Sequence, residues 1–226
     1  MLIVIIGAGT VGTSLVERAL ATGSNDVVVV ESDPQLAETC AQRFDARVLA
    51  MDVGDEGFAQ ESQLDRAEAL IATTDDDSTN IMAMLLGQEA GIGTLTSTVN
   101  REAHVALFRR LGVRVLADPE RLVAQHLLDI TLLPETRDVT TLSGGQQIIE
   151  LTLGEASPLI GMNAAELTKS DLLADGLKMI ARVRDGETRE LAPKDTLAAG
   201  DGVILFAPER LHGRRRRLFR EHNLEG

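Results

Sequence analysis

The chain opens with a short apolar run that leads directly into a glycine-rich loop at residues 7–12. The loop reads G-A-G-T-V-G and fits the spacing G-x-G-x-x-G, with a predicted strand before it and a predicted helix after it. In this pattern the first glycine permits a tight turn, the second lets the backbone approach a pyrophosphate, and the third lets the helix pack against the strand. Free amides and the positive end of the helix would hold the phosphates. The alternative is a glycine turn with a structural role only. The residues predicted to contact a nucleotide here are Gly7, Ala8, Gly9, Thr10, Val11 and Gly12.

An acidic residue follows at the distance that a ribose contact requires. Glu31 ends the second apolar run, 24 positions after Gly7, and its carboxylate can accept hydrogen bonds from both ribose hydroxyls. Ser32 lies beside it and is included in the predicted site. A 2′-phosphate would face this carboxylate, and residues 32–41 contain no Arg or Lys to offset the repulsion. The sequence therefore argues against NADP and leaves NAD(H), ATP, ADP and AMP.

Polar residues also follow the third and fourth apolar runs. Asp52 and Val53 follow one, and Thr73, Thr74 and Asp75 follow the other. Because parallel strands end at the same edge of a sheet, we expect these residues to close the adenine side of the crevice. The run of three acids at 75–77 lacks the spacing and glycine of an EF-hand calcium loop. Carboxylates over the free amides of a helix N-terminus are the preferred interpretation.

The elements that position these residues alternate strand and helix, which is typical of βαβ units and a parallel sheet. The first half predicts a Rossmann-like, doubly wound α/β sheet. The predicted strands are 2–6, 27–30, 47–49, 69–72, 95–99 and 113–116, and the predicted helices are 11–21, 34–44, 56–64, 78–90 and 102–111.

The second half has a different rhythm. An apolar helix at 120–133 is followed by period-two patterns at 148–153 and 177–183, an Asp185-Gly186 turn and a strand at 203–206. These features predict a small C-terminal α+β domain after a crossover helix. The apolar helix has two interpretations, since it can pack on its own sheet or against a second subunit. The predicted boundaries are 1–118, 119–136 and 137–226.

The amino-acid composition restricts the classes of partner that the chain is expected to bind. The net charge is −13, with neither Trp nor Tyr, which disfavours nucleic acid and anionic lipid as partners. The basic run at 214–217 with Arg220 is the exception, and it fits the negative end of a terminal helix or acidic neighbours in an assembly. A single cysteine, Cys40, and the lack of a long apolar stretch predict a cytoplasmic protein. No histidine has metal-ligand spacing with another or with Cys40, so a zinc site is not expected.

With these residues in view, the chain resembles the RCK/TrkA family of potassium-conductance regulators along nearly its whole length. The N-terminal half is similar to a TrkA-N domain in its glycine loop, Glu31 and the segments 67–80 and 115–120. The C-terminal half is similar to a TrkA-C domain in the segments 157–162 and 199–205. The resemblance implies homo-oligomeric rings of Rossmann dimers, as a tetramer or octamer, beneath a membrane potassium-translocating subunit. It also implies nucleotide-gated ion flow without covalent chemistry, and it adds Asn80 to the residues along the crevice.

Three departures from the family pattern bear on the ligand. Thr10 stands where some ATP-binding members of the family have an arginine that meets the terminal phosphate. Ser97 stands where the family often has an arginine near the end of the fifth strand, and Met51 replaces the usual glycine before Asp52. Two fewer cations disfavour a triphosphate, so NAD(H) or ADP ranks above ATP. Two other classes of function compete: a small NAD-dependent oxidoreductase, which needs an acid/base group in the crevice, and a nucleotide-sensing DNA-binding regulator, which needs a basic face.

Overall fold

The computed structural model of the protein describes residues 1–132, 136–142, 144–170, 173 and 176–210. The chain divides into two compact units, Met1–Arg121 and Leu122–Gly226. The predicted helix end at 133–134 and the basic run at 214–220 lie outside the described residues. The finer boundaries 1–118, 119–136 and 137–226 stay a prediction. Within the described part of the chain, no helix has the length and apolar character needed to cross a membrane.

The first unit is built on a six-stranded parallel sheet with the order β3-β2-β1-β4-β5-β6, which confirms the predicted Rossmann-like fold. The strand order reverses between β1 and β4, so the crevice at the switch point lies beyond their carboxyl ends. The strands are β1 (Leu2–Ile6), β2 (Asp26–Glu31), β3 (Arg47–Ala50), β4 (Ala69–Ala72), β5 (Thr94–Val99) and β6 (Arg114–Ala117).

Helices cover both faces of this sheet. Val4 and Ile6 belong to one buried cluster and Ile3 and Ile5 to another, so alternate side chains of β1 pack into separate cores. This explains why β1 is continuously apolar. The helices are α1 (Thr10–Ala21), α2 (Pro34–Arg43), α3 (Phe58–Glu61), α4 (Asp77–Glu89) and α5 (Glu102–Arg110), followed by α6 (Pro119–Leu132), which continues into the second unit. Helix α3 is much shorter than predicted, since a separate 3-10 turn covers Leu64–Arg66.

The second unit contains a five-stranded antiparallel sheet with the order β10-β9-β11-β8-β7. The Asp185-Gly186 turn was predicted correctly: both residues have positive φ, as a two-residue hairpin requires, and they join β9 to β10. The alternating pattern predicted for β8 is also confirmed, because Ile149 and Leu151 are buried and their neighbours in the strand are half-buried. The elements are β7 (Thr136–Thr141), β8 (Gln147–Thr152), α7 (Ala164–Lys169), β9 (Lys178–Arg184), β10 (Glu187–Arg189) and β11 (Gly202–Ala207).

An ion pair stabilises the turn that precedes β11. Arg184 Nε and Nη2 lie 2.6 and 2.7 Å from the two carboxylate oxygens of Asp201, which also accepts the Ala198 amide at 2.7 Å. Burial raises the pKa of Asp201, but the bonds from Arg184 and Ala198 outweigh burial and leave the pKa below its usual value. The pair fixes the Gly200–Gly202 segment recognised in the sequence.

Candidate functional site

The glycine loop between β1 and α1 has the geometry that its spacing predicts. Gly7 has φ +96°, a left-handed conformation that favours glycine, and its amide donates to the Val30 carbonyl at 2.8 Å. A Cβ added to Gly12 would lie 1.8 Å from the Gly7 carbonyl oxygen, so α1 packs directly on the turn. A Cβ added to Gly9 would meet no described heavy atom within 4 Å. The second glycine therefore faces open space, where a ligand could approach the backbone.

Glu31 connects this loop to the next helix. One carboxylate oxygen accepts the Ala8 amide at 2.6 Å, and the other accepts the Asp33 amide at 2.9 Å, close to Ser32 Oγ at 3.5 Å. Only 9% of Glu31 is exposed. A carboxylate offers about four acceptor positions, so capacity remains for ribose hydroxyls. Asp33 in turn caps α2 by accepting the Gln35 and Leu36 amides. The loop and the acid are thus held in one hydrogen-bonded unit.

The rim after β4 is organised by a buried asparagine. Asn80, with 0% exposure, accepts the amide and hydroxyl of Thr74 and donates to the Thr74 carbonyl at 2.9 Å. Thr73 Oγ1 donates to the Ile6 carbonyl at 3.1 Å, which ties the end of β4 to that of β1. Asn80 therefore positions the rim, while Thr73 and Thr74 remain half-buried along the crevice and Asp75 is exposed.

The remaining residues of the predicted site differ in their solvent exposure and in the groups that are left for a ligand. Thr10, Val11 and Ser32 are exposed beside the loop, and Asp52 is exposed at the end of β3. Asp52 forms a local turn, since its carboxylate accepts the Gly54 amide at 2.8 Å. The Val53 side chain is buried in the core, with 3% exposure, so its backbone alone is left for a ligand contact.

The acidic run at the start of α4 acts as a helix terminus, as predicted. Asp76 accepts the Ser78 amide at 2.7 Å, and this bond lowers the pKa of Asp76. Asp77 is 7% exposed and binds the connection between β5 and α5. Burial raises its pKa, but hydrogen bonds from Asn100, His104 and Arg101 outweigh burial and hold the pKa below its usual value.

Sequence reasoning missed Asn100 and His104. Asn100 Nδ2 reaches both Asp77 Oδ1, at 3.0 Å, and the Thr74 carbonyl, at 3.2 Å, so it belongs to the rim of the crevice. Asn100 directly follows the fifth strand, and the rule that found Asp52 and Thr73 would have found it too. His104 lies one turn into α5, and no signal in the sequence connects it with Asp77.

The chain is similar to several known proteins. The family model of the TrkA-N domain matches residues 3–119. The Trk system potassium uptake protein TrkA homolog of Methanothermobacter thermautotrophicus is 26% identical over 172 residues, which are 76% of this chain and 79% of that protein. The Trk system potassium uptake protein TrkA of Azorhizobium caulinodans is 28% identical over 213 residues, which are 91% of this chain and 44% of that protein.

A solved structure shares the fold. The GsuK channel bound to NAD superposes with a TM-score of 0.60 at 18% identity, over 99% of this chain and 40% of that one. The chain therefore spans less than half the length of the channel and of the Azorhizobium protein.

Proposed function

The chain belongs to the TrkA-N domain family, and on that premise we propose that it is a regulatory subunit that binds NAD(H) and couples occupancy to potassium flux through a membrane transporter or channel. The observation that carries this proposal is the loop in which Gly9 faces open space while Glu31 holds the Ala8 amide. The relatives named as potassium uptake proteins supply the class of process, and the GsuK channel bound to NAD supports the choice of ligand.

The charges of the crevice favour NAD(H) over the other adenine nucleotides. Glu31, Asp33 and Asp52 lie along its β2–β3 side. A triphosphate carries about four negative charges and a dinucleotide about two, so acidic surroundings disfavour ATP more strongly. ADP stays the second choice. The 2′-phosphate of NADP would approach Glu31, whose two oxygens already lie 2.6 and 2.9 Å from amides that hold it in place.

We propose a role in binding without covalent chemistry. The residues that line the rim, Thr73, Thr74 and Asn80, bond to each other or to the backbone, which suits a scaffold. His104, the one histidine of the first unit, lies with its Nδ1 atom 2.7 Å from Asp77 Oδ2. The protein would act by binding nucleotides unequally in two assembly states and shifting their populations.

We propose that helix α6 provides a contact between two copies of the chain. Five of its large apolar side chains are 40–60% exposed: Leu122, Val123, Leu127, Leu128 and Leu132. This exposure favours the second-subunit interpretation over packing on its own sheet. Leu127→Lys should lower the mass measured by light scattering, whereas His126→Lys, an equally charged change on the same helix, should not. An unchanged oligomer in Leu127→Lys would count against this contact.

In a cell, the protein would be cytoplasmic and held at the inner face of the membrane by its potassium-translocating partner. Calorimetric titration with NADH, NAD, ADP, ATP and NADPH tests the ligand assignment. We expect NADH or NAD to bind tightest and NADPH at least about tenfold more weakly than NADH, which is a difference of about 1.4 kcal/mol. Binding of none of the five would reject the proposal. Rubidium flux into vesicles containing the membrane subunit, with NAD or NADH added, tests the regulatory role.

A further inference from the structure

Asn100 presents an acceptor oxygen at the rim of the crevice. Its side-chain nitrogen Nδ2 donates to the Asp77 carboxylate at 3.0 Å and to the Thr74 carbonyl at 3.2 Å. An ionised carboxylate and a carbonyl only accept, so Nδ2 must face these two groups and the side-chain oxygen Oδ1 faces away from them. Asn100 is exposed, and no group in the described part of the chain donates a hydrogen bond to its Oδ1 atom. This oxygen is therefore available to a ligand that carries a donor.

Two further hydrogen bonds hold this segment in place. The Asn100 backbone amide donates to Asp77 Oδ1 at 2.8 Å, and the Arg101 amide donates to Asp77 Oδ2 at 3.0 Å. Asp77 is 7% exposed, and its lowered pKa keeps it ionised at neutral pH. Hydrogen bonds to a charged partner are the stronger ones, and here they fix both the backbone and the side chain of Asn100. The acceptor oxygen is thus oriented before a ligand binds.

Direct contacts connect Asn100 with the glycine loop. Its partner Thr74 lies over Gly7, since a Cβ added to Gly7 would lie 3.2 Å from Thr74 Cγ2 and 3.4 Å from the Thr74 amide nitrogen. The preceding residue, Thr73, donates to the Ile6 carbonyl at 3.1 Å and so ties this segment to the end of β1. Thr74 therefore bridges Asn100 and the loop that is proposed to hold the pyrophosphate.

The place of Asn100 in the sheet corresponds to that of Glu31. The strand order β3-β2-β1-β4-β5-β6 divides between β1 and β4 into two halves of three strands. In a fold of this kind each half takes one nucleotide of a dinucleotide. Glu31 ends β2, the second strand of the first half, and Asn100 directly follows β5, the second strand of the other half. By this correspondence Asn100 would face the sugar of the second nucleotide, as Glu31 would face the sugar of the first.

We propose that Asn100 Oδ1 accepts a hydrogen bond from a hydroxyl of the second ribose of a dinucleotide, and that this contact favours a dinucleotide over ADP. This inference rests on the proposed function, because it concerns the same crevice. ADP ends at its second phosphate and has no hydroxyl beyond it, whereas ADP-ribose and NADH both carry the second ribose. One hydrogen bond between uncharged groups changes an affinity by about three- to tenfold.

Calorimetric titration of the full chain with ADP, ADP-ribose and NADH tests the proposal. Asn100→Ala should weaken the binding of ADP-ribose and of NADH by about three- to tenfold more than the binding of ADP. The ADP titration measures any general effect of the substitution on the rim. The fold should persist, because the backbone amide of residue 100 still donates to Asp77. Should Asn100→Ala not fold, Asn100→Ser, which keeps a polar side chain before α5, makes the same comparison.

Asn25→Ala is the matched control. Asn25 directly precedes β2 and therefore lies at the opposite edge of the parallel sheet from the crevice. Its side chain makes two hydrogen bonds, to the Ala19 carbonyl at 3.0 Å and to Thr22 Oγ1 at 2.8 Å, so this variant also loses two bonds from an asparagine amide. It should leave the relative affinities for ADP, ADP-ribose and NADH unchanged.

The outcomes separate this inference from the proposed function. If Asn100→Ala weakens ADP and ADP-ribose by the same factor, or changes neither, the ribose contact is overturned while nucleotide binding stands. A loss confined to NADH would assign the acceptor to the nicotinamide amide and would also overturn the ribose contact. If wild type binds none of the three ligands, the proposed function fails, and this inference fails with it.

Discussion

Replacing Gly9 and Gly12 separately by alanine distinguishes a binding loop from a purely structural turn. Gly9 has φ −66° and ψ −168°, which alanine adopts without strain, and its added Cβ would meet no described atom within 4 Å. Gly9→Ala should therefore leave the fold intact and change the free energy of unfolding by less than about 1 kcal/mol, because the lower entropy of the unfolded chain is opposed by the poorer N-cap that alanine forms at the start of α1. The new methyl group would stand where a phosphate must approach the amides.

The expected loss of affinity follows from the bonds that the methyl group displaces. One hydrogen bond to a charged phosphate contributes about 1.5–3 kcal/mol, so Gly9→Ala should weaken NADH binding by about 10- to 100-fold. Gly12→Ala is the contrasting variant. Its Cβ would lie 1.8 Å from the Gly7 carbonyl oxygen, so α1 must shift, and stability should fall by about 3 kcal/mol.

Urea denaturation and calorimetric titration of both variants measure these two effects independently. A stable Gly9→Ala protein that binds NADH like wild type would show that the ligand does not approach the loop, and the reasoning from Gly9 would be refuted. A fully stable Gly12→Ala protein would contradict the close packing of α1 on the turn.

Two further predictions concern buried polar groups. Asn80→Ala should destabilise the first unit by about 2 kcal/mol, because the Thr74 amide loses its partner and the Thr74 carbonyl keeps only the bond from Asn100. The variant should also weaken NADH binding, and a destabilised variant with unchanged affinity would show that Asn80 does not position the crevice. Asp201 has a lowered pKa in the folded state, so its contribution to stability is present above its unfolded pKa of about 3.9 and is lost as pH falls through the lower folded value. Asp201→Ala removes the carboxylate that accepts from Arg184 and from the Ala198 amide. The variant should destabilise the second unit by about 2 kcal/mol at pH 7 in urea denaturation and lose less stability than wild type below about pH 4. An acid profile identical to that of wild type would argue against this assignment.

Much of the first unit could be predicted because its signals are local. The β1 run is apolar at every position, since both faces of a doubly wound sheet are covered, and the predicted bounds 2–6 match the observed strand. The glycine spacing predicts the turn directly. The backbone at Gly7 is left-handed, a conformation that favours glycine, and the close packing at Gly12 leaves no room for a side chain. The Asp185-Gly186 turn could also be predicted from two adjacent residues, because both tolerate the positive φ that the hairpin needs.

Two elements of the second unit, β7 and α7, were not predicted from the sequence. Strand β7 is largely polar and exposed, with Val139 as its buried residue, and its partner β8 makes it a strand. Helix α7 has six residues, too few for a periodic pattern, and it begins at a capping box formed by Asn163 and Glu166. Val53 shows what its position in the sequence left undecided: it follows β3, where a ligand contact is predicted, and its side chain completes the core, so only its backbone is left for that contact.

The sequence by itself determined the sheet, the glycine loop and the placement of Glu31, because burial patterns and backbone conformations are properties of neighbouring residues. Only the tertiary structure decided which hydrogen-bond partners the polar groups around the crevice have. Pairing of β4 with β5 brings Asn100 and His104 to Asp77, more than 20 positions away. Pairing of β1 with β2 likewise brings the Glu31 carboxylate to the Ala8 amide. Hydrogen bonds between distant segments depend on how strands pair, and no local pattern encodes them.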